Sequence, residues 1–244
     1  MNNQPYIILI NPQLAENVGM TARAMMNCGL YNLRLVKPRE NHLSEKAISA
    51  SSNAEEILQK AEVFETLNDA IADLNFIFAT TARRRDMIKH IHTADNATLE
   101  IKNKIESGEN CGILFGPERT GLHNDDVAIA DAIIEIPLNP QHTSLNLSQA
   151  VLLVGYEWYK TQISVEGKQL ITNKTEVADK KTVTKFFEFL ENELDECGNF
   201  KLDEKRPRMV RNLRNIFLRS ELTEQEINTL YGVINYLKTK KEKL

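Results

Sequence analysis

The 244-residue chain has only three cysteines and one tryptophan, and no apolar run near the roughly 18 residues that a membrane span needs. Cys28, Cys111 and Cys197 are odd in number and far apart, which suits neither a disulfide framework nor paired zinc ligands. A reducing, cytoplasmic setting is therefore expected. Met1 to Pro5 lacks the basic stretch that opens a secretion signal, which predicts an unexported protein. The familiar nucleotide signatures are missing as well. No Gly-x-Gly-x-x-Gly follows the first strand-like run. Gly116 and Gly121 have phosphate-loop spacing, but Leu122 and His123 stand where a lysine and a hydroxyl residue would be needed. His90 and His92 have no third ligand at useful spacing, so no metal is expected. A hydrolase's Gly-x-Ser-x-Gly elbow is also absent.

What is present is an ordinary globular balance, 42% hydrophobic and 26% charged, enough to bury a core without disulfides or metals. The length suits one large domain with a small one attached. The net charge of -4 conceals an uneven distribution. Residues 1–165 carry 14 basic and 20 acidic side chains, whereas residues 166–244 carry 16 and 14. Lys201 to Arg219 holds seven basic residues against two acids, a patch that suits phosphates.

Short apolar runs at Tyr6 to Ile10, Asn32 to Val36, Asn75 to Thr80, Cys111 to Phe115 and Ala132 to Ile136 read as buried strands. Between them, Asn17 to Cys28, Ala54 to Ala61, Thr93 to Glu106 and Leu145 to Tyr159 have helical spacing, with Gly29 and Gly108 as stops. This alternation predicts an α/β fold, a mostly parallel sheet with helices on both faces. Ligands in such sheets bind at the carboxyl ends of the strands, here the loops after Ile10, Thr80, Phe115 and Ile136. Residues 1–162 form the expected α/β domain, 163–182 a polar linker and 183–244 a small C-terminal helical domain. In that domain Val183, Phe186, Phe187, Leu190 and Leu194 mark one helix face. Pro207 opens a second helix, with Met209, Val210, Leu213 and Phe217 expected inward and Arg208, Arg211 and Arg214 outward. Thr223 and Glu226 have capping-box spacing for a third, carrying Ile227, Leu230, Ile234 and Leu237.

Three of the loops are unusual. NPQLAENVGMTARAM follows the first strand; in it Asn17 can cap a helix, Gly19 permits close backbone approach and Arg23 lies further along the same helix. GPERTGL, Gly116 to Leu122, sets Glu118 between two glycines. HTSLNLSQAV places Ser144 and Asn146 at a helix start, where Thr143 or Ser144 could serve as the cap.

Together these segments resemble the three motifs of the SpoU-type RNA 2'-O-methyltransferases of the SPOUT class. The matching residues are Asn17, Gly19 and Arg23; Gly116, Glu118 and Gly121; and Ser144 to Ser148. The resemblance covers roughly residues 4 to 162. NPQLAENVGMTARAM and the segment Ala79 to Arg85 are most similar to the TrmJ branch, which acts on nucleotide 32 of the tRNA anticodon loop, and the helical appendix fits that branch.

The resemblance implies a trefoil knot, a homodimer with a composite active site, and S-adenosylmethionine as methyl donor with no metal. It implies a cofactor cradle of Thr80, Thr81, Ala82, Gly116, Ile136, Thr143, Ser144 and Leu145. It also implies a catalytic set of Arg23, Asn17, Glu118, Ser144 and Asn146. Because guanidinium stays protonated, Arg23 is expected to stabilise a developing oxyanion rather than abstract a proton. Glu118 would orient either Arg23 or a loop backbone. Arg83, Arg84 and Arg85, with Arg208, Arg211 and Arg214, are the expected RNA contacts. An apolar set such as Leu145, Leu152, Val154 and Trp158 could serve core or interface. A ribosomal RNA methyltransferase of the same family and an inactive RNA-binding relative are the alternatives.

Overall fold

The computed structural model describes residues 3–81, 87–164, 167, 174–200 and 205–241. The chain divides into two compact units, Met1–Val165 and Glu166–Leu244.

The first unit is built on a seven-stranded sheet. Its strands are β1 (Tyr6–Ile10), β2 (Leu33–Val36), β3 (Glu62–Phe64), β4 (Phe76–Thr80), β5 (His90–Thr93), β6 (Cys111–Phe115) and β7 (Ala132–Glu135). They lie in the order β3-β2-β1-β6-β4-β7-β5, and every neighbouring pair is parallel. Helices α1 (Ala15–Asn27), α2 (Glu45–Ser51), α3 (Glu55–Gln59), α4 (Leu67–Ile71), α5 (Ala94–Glu106), α6 (Asn124–Ile129) and α7 (Leu147–Gln162) connect them.

The period of two along each strand explains why the central runs are apolar without interruption. Ile7 and Leu9 of β1 point into one core with Ile113 and Phe115, covered by α1, α2, α3, α5 and α7. Ile8 and Ile10 point into the opposite core with Leu114 and Ile133, covered by α4 and α6. Of the apolar set on α7, Val154 and Trp158 belong to the first core, whereas Leu152 is 40% exposed.

The elements that sequence reasoning did not find share a physical cause. β3 and β5 are the two edge strands and carry polar or exposed residues, so neither presents an apolar run. Helices α2, α4 and α6 have seven, five and six residues, too few to establish a 3.6-residue period. His90 and His92 lie on β5, where His92 Nε2 is 3.5 Å from Glu100.

The second unit contains α8 (Lys180–Glu196), α9 (Arg206–Leu218) and α10 (Glu224–Lys241). Phe186 is its fully buried centre, with Val183, Phe187, Ile227, Phe217, Leu230 and Ile234 around it. The Thr223–Glu226 capping box forms as expected, with Thr223 N–H donating to Glu226 at 2.7 Å and Glu226 N–H to Thr223 Oγ1 at 3.3 Å. Two expectations are corrected. Met209 and Leu237 are exposed rather than inward, so α9 and α10 bury narrower stripes than their apolar content suggested. Arg214 does not face freely outward, because its Nε donates to Glu191 at 2.6 Å and its guanidinium lies over Phe187.

Gly19 fixes the spacing of α1 against α2, since a Cβ there would stand 2.1 Å from the Ala47 carbonyl oxygen and 2.9 Å from Ala50 Cβ. Gly19→Ala must push two packed helices apart, and the expected cost is about 1–3 kcal/mol. Chemical denaturation of the variant measures it, and an unshifted midpoint would contradict this packing.

Candidate active site

The loops at the carboxyl ends of β4, β6 and β7 enclose a cavity of about 200 Å³. Its walls include Thr80, Thr81, Phe115, Gly116 to Leu122, Ile134, Ile136, Leu138 and Thr143 to Leu145. Thus Thr80, Thr81, Gly116, Ile136, Thr143, Ser144 and Leu145, taken from the sequence as a cradle, meet at one place. Ala82, Arg83, Arg84 and Arg85 lie outside the described residues. Thr80 Oγ1 donates to the Leu114 carbonyl at 2.8 Å, and Thr81 N–H donates to Ile134 O at 3.1 Å, fixing the β4 exit to both neighbouring strands.

Only glycine can close the loop after β6. A Cβ on Gly116 would lie 2.2 Å from the Leu122 amide nitrogen and 2.3 Å from the Gly121 carbonyl carbon. Gly121 completes the turn at φ +64°, donating its N–H to Pro117 O at 2.8 Å. The GPERTGL spacing therefore makes a loop folded back on itself, which turns Glu118 away toward the start of α1.

That carboxylate joins the three motifs. Glu118 accepts from Gln13 N–H at 2.9 Å, from Leu14 N–H at 3.3 Å and from Asn17 Nδ2 at 2.7 Å. Asn17, buried at 3% exposure, in turn accepts through Oδ1 from Asn146 Nδ2 at 2.9 Å. Asn146 uses its own oxygen to accept from the N–H and hydroxyl of Ser148 and so caps α7, with Gln149 closing the box. Two expected caps are corrected here. Asn17 is not the cap of α1, because the helix begins at Ala15 and leaves Asn17 inside its first turn. Asn146, rather than Thr143 or Ser144, caps α7.

The amides leading into α1 are satisfied by carboxylates from distant segments: Glu118 takes those of Gln13 and Leu14, and Glu40 takes Ala15 N–H at 3.1 Å. Negative charge at this end of the helix is favourable, and these amides already have their acceptors. Of the two roles open to Glu118, the loop backbone is the one realised.

Arg23 is not part of the cavity lining. It is exposed on α1, where its Nη1 donates to Ser52 Oγ at 3.3 Å. Sequence reasoning missed Glu40, Gln13, Ser52 and the cavity residue Arg119. Their roles depend on which loop meets which, and local spacing does not report that. Cys28 and Cys111 are buried, and desolvation raises both thiols, that of Cys111 to about 11, so neither is a ready thiolate nucleophile. Among the described residues no cluster of His, Cys, Asp and Glu could hold a metal ion.

Residues 4–156 match the SpoU rRNA Methylase family, and residues 181–244 match the C-terminal domain of the tRNA methyltransferase TrmJ. The chain is 32% identical to the tRNA (cytidine/uridine-2'-O-)-methyltransferase TrmJ of Escherichia coli, over 93% of this chain and 92% of that one. It is 42% identical to the crystal structure of TrmJ from Z. mobilis ZM4, covering 96% of this chain and 99% of that one at a TM-score of 0.82. The SpoU methyltransferase AviRb from Streptomyces viridochromogenes, solved in complex with AdoMet, shares the fold at 16% identity. That alignment covers 66% of this chain and 62% of AviRb, with a TM-score of 0.53.

Glu118→Gln keeps the size of the side chain but leaves one oxygen and an amide group facing three donors. Removing a charged acceptor from donors that remain costs about 1–3 kcal/mol. The variant should show a lowered denaturation midpoint together with faster hydrogen exchange at the Gln13 and Leu14 amides; unchanged exchange at both would contradict the assigned bonds.

Proposed function

The chain belongs to the SpoU rRNA Methylase family, and on that premise we propose that it is a tRNA 2'-O-methyltransferase acting on nucleotide 32 of the anticodon loop, with S-adenosylmethionine as methyl donor. The observation that carries the reading is the convergence of the three motifs, Asn17, Glu118 and Asn146 in one hydrogen-bonded chain beside the Gly116–Leu122 cavity. The match of residues 181–244 to a tRNA methyltransferase domain, and relatives named for tRNA over nearly the whole length, favour tRNA above ribosomal RNA. This reading assigns residues 1–162 to methyl transfer, 163–182 to a linker, and 183–244 to tRNA contact or bracing of a dimer.

The residues present suit the donor. Phe115, Ile134, Ile136, Leu138 and Leu145 offer an apolar wall for a flat base, and the backbone of Gly116 to Gly121 comes close because no side chain intervenes at its two glycines. When bound, S-adenosylmethionine supplies an electrophilic methyl on a sulfonium centre, with no metal required. The protein's part is then to bring a ribose hydroxyl into line and to stabilise charge on its oxygen. Arg23 does the second. Its cation lowers the pKa of the 2'-hydroxyl and offers several donors at fixed geometry, while the proton leaves to phosphate or water.

Arg23 lies outside the cavity of its own chain, which is the expected arrangement if a second copy completes the site. Leu14 just before α1 and Met20 on it, together with Leu152, Leu153, Tyr156 and Tyr159 on α7, are exposed apolar side chains at two helices that pack together. A homodimer through this face would cover them and carry Arg23 to the partner's cavity. RNA grip comes from Arg83, Arg84 and Arg85 and from Arg208 and Arg211 on α9. These last two are exposed and make no ion pair among the described residues. Arg214 is held against α8 through its bond to Glu191. No helix among the described residues is long and apolar enough to cross a membrane. The cytoplasm, where tRNA is modified, is the proposed location.

Incubation of the purified protein with methyl-labelled S-adenosylmethionine and unmodified tRNA, with the label mapped to a nucleotide, tests the reading. Label at position 32 that disappears in Arg23→Ala, while donor binding persists, is the expected result. Arg23→Lys should stay at least about 100-fold impaired, because it keeps the charge but loses the fork. Label in ribosomal RNA alone would overturn the substrate. Separately, Arg208→Ala with Arg211→Ala should raise KM for tRNA, leave kcat near wild type, and reduce the salt dependence of binding by roughly one to two counterions; an unaltered salt slope would exclude both as phosphate contacts.

A further inference from the structure

Gly19 and Arg23 are four residues apart on α1 and therefore share a helix face, the face that α2 covers. The two helices run alongside each other in the same direction. Glu16 meets Lys46 at 3.5 Å, Gly19 lies against Ala47 and Ala50, and Arg23 reaches Ser52 just past the end of α2. The arginine thus emerges where α2 stops.

That stop is unusual. Ser52 caps α2 with φ +47° and ψ +62°, and Asn53 follows with φ +74°. Two successive non-glycine residues therefore occupy the left-handed region, at a helix end where glycine is the ordinary and sterically free choice. Asparagine tolerates this conformation; serine gains nothing from it unless its hydroxyl is used. The hydroxyl accepts the hydrogen bond from Arg23 Nη1 at 3.3 Å.

We propose that Ser52 is a positioning residue for methyl transfer, holding one nitrogen of the Arg23 guanidinium while the remaining donors face the substrate oxygen and phosphate. The inference rests on the assignment of Arg23 as the cation beside the 2'-oxygen. A guanidinium has five N–H donors, so one bond to Ser52 leaves four for substrate. An exposed arginine loses rotamer freedom when it engages its target, and a hydroxyl that already restrains it reduces that loss at the moment of reaction. Because the α1–α2 spacing is set by a glycine in direct contact with backbone, the hydroxyl is presented from a rigid support.

The test uses full-length protein, tRNA and labelled S-adenosylmethionine, comparing wild type with Ser52→Gly, Ser52→Asn, Arg23→Ala and Arg23→Lys. Ser52→Gly should lower kcat about tenfold, the effect of losing one hydrogen bond to a charged group, with donor affinity and KM for tRNA unchanged. Its melting temperature should be unchanged or higher, because glycine is at ease in the left-handed region. Ser52→Asn, which tolerates that region and offers a side-chain oxygen, should stay within about twofold of wild type. In the Arg23→Lys background, Ser52→Gly should cost little more, since the fork it supports is already gone. A wild-type kcat for Ser52→Gly while Arg23→Ala is inactive would overturn the inference and leave the arginine assignment intact. A lowered kcat accompanied by a lowered melting temperature and weakened donor binding would also overturn it, by showing a structural role. Full activity of Arg23→Ala would overturn the assignment of the arginine, and the inference with it.

Discussion

The carboxylate of Glu118 is where the first unit's separate loops become one site. It comes from a loop that only glycine can close, and it meets the backbone leading into α1 more than a hundred residues earlier in the chain. Through Asn17 the same carboxylate reaches Asn146 and the start of α7. The amide groups leave little choice of direction, since Asn146 donates to Asn17 and Asn17 donates to Glu118. An aspartate at position 17 would set two carboxylates against each other; a leucine would strand the Asn146 amide donor and take one donor from Glu118, at a position with 3% exposure. The loops that wall the cavity and the helix that bears Arg23 are therefore mechanically joined.

The sheet order explains why the joint falls where it does. β1 and β6 are neighbours although β2 to β5 intervene in sequence, and the chain leaves β1 toward one edge of the sheet and β6 toward the other. Crevices of this kind open at the carboxyl ends of parallel strands. Here the crevice receives Glu118 from β6 and the Asn11–Leu14 turn from β1, so it is filled by protein groups, and the open cavity is displaced to the side of β4 and β7.

Much of this was legible in the sequence where burial imposes a strong pattern. The runs Tyr6 to Ile10 and Cys111 to Phe115 coincide with strands to the residue, because central parallel strands are apolar on both faces. Edge strands such as His90–Thr93 face solvent and leave no such trace. Within the site, the residues of each motif could be named because their spacing is local, and the cradle residues that are described do line one cavity. Their partners could not be named. Glu40 beneath α1 and Ser52 beside Arg23 act across breaks in sequence, and the left-handed backbone at Ser52 carries none of the glycine that usually marks it. Similarly, Arg214 reads as one more outward arginine until Glu191 is found 2.6 Å away.

Through Glu118, Asn17 and Asn146, the cavity loops and the helix that bears Arg23 form one hydrogen-bonded unit. Hydrogen exchange of the full-length protein with and without S-adenosylmethionine tests it most directly. The predicted result is slower exchange in Gly116 to Gly121 and Thr143 to Asn146, and also in Gln13 to Asn17, which do not line the cavity. Protection confined to the cavity loops, with the start of α1 unchanged, would contradict it.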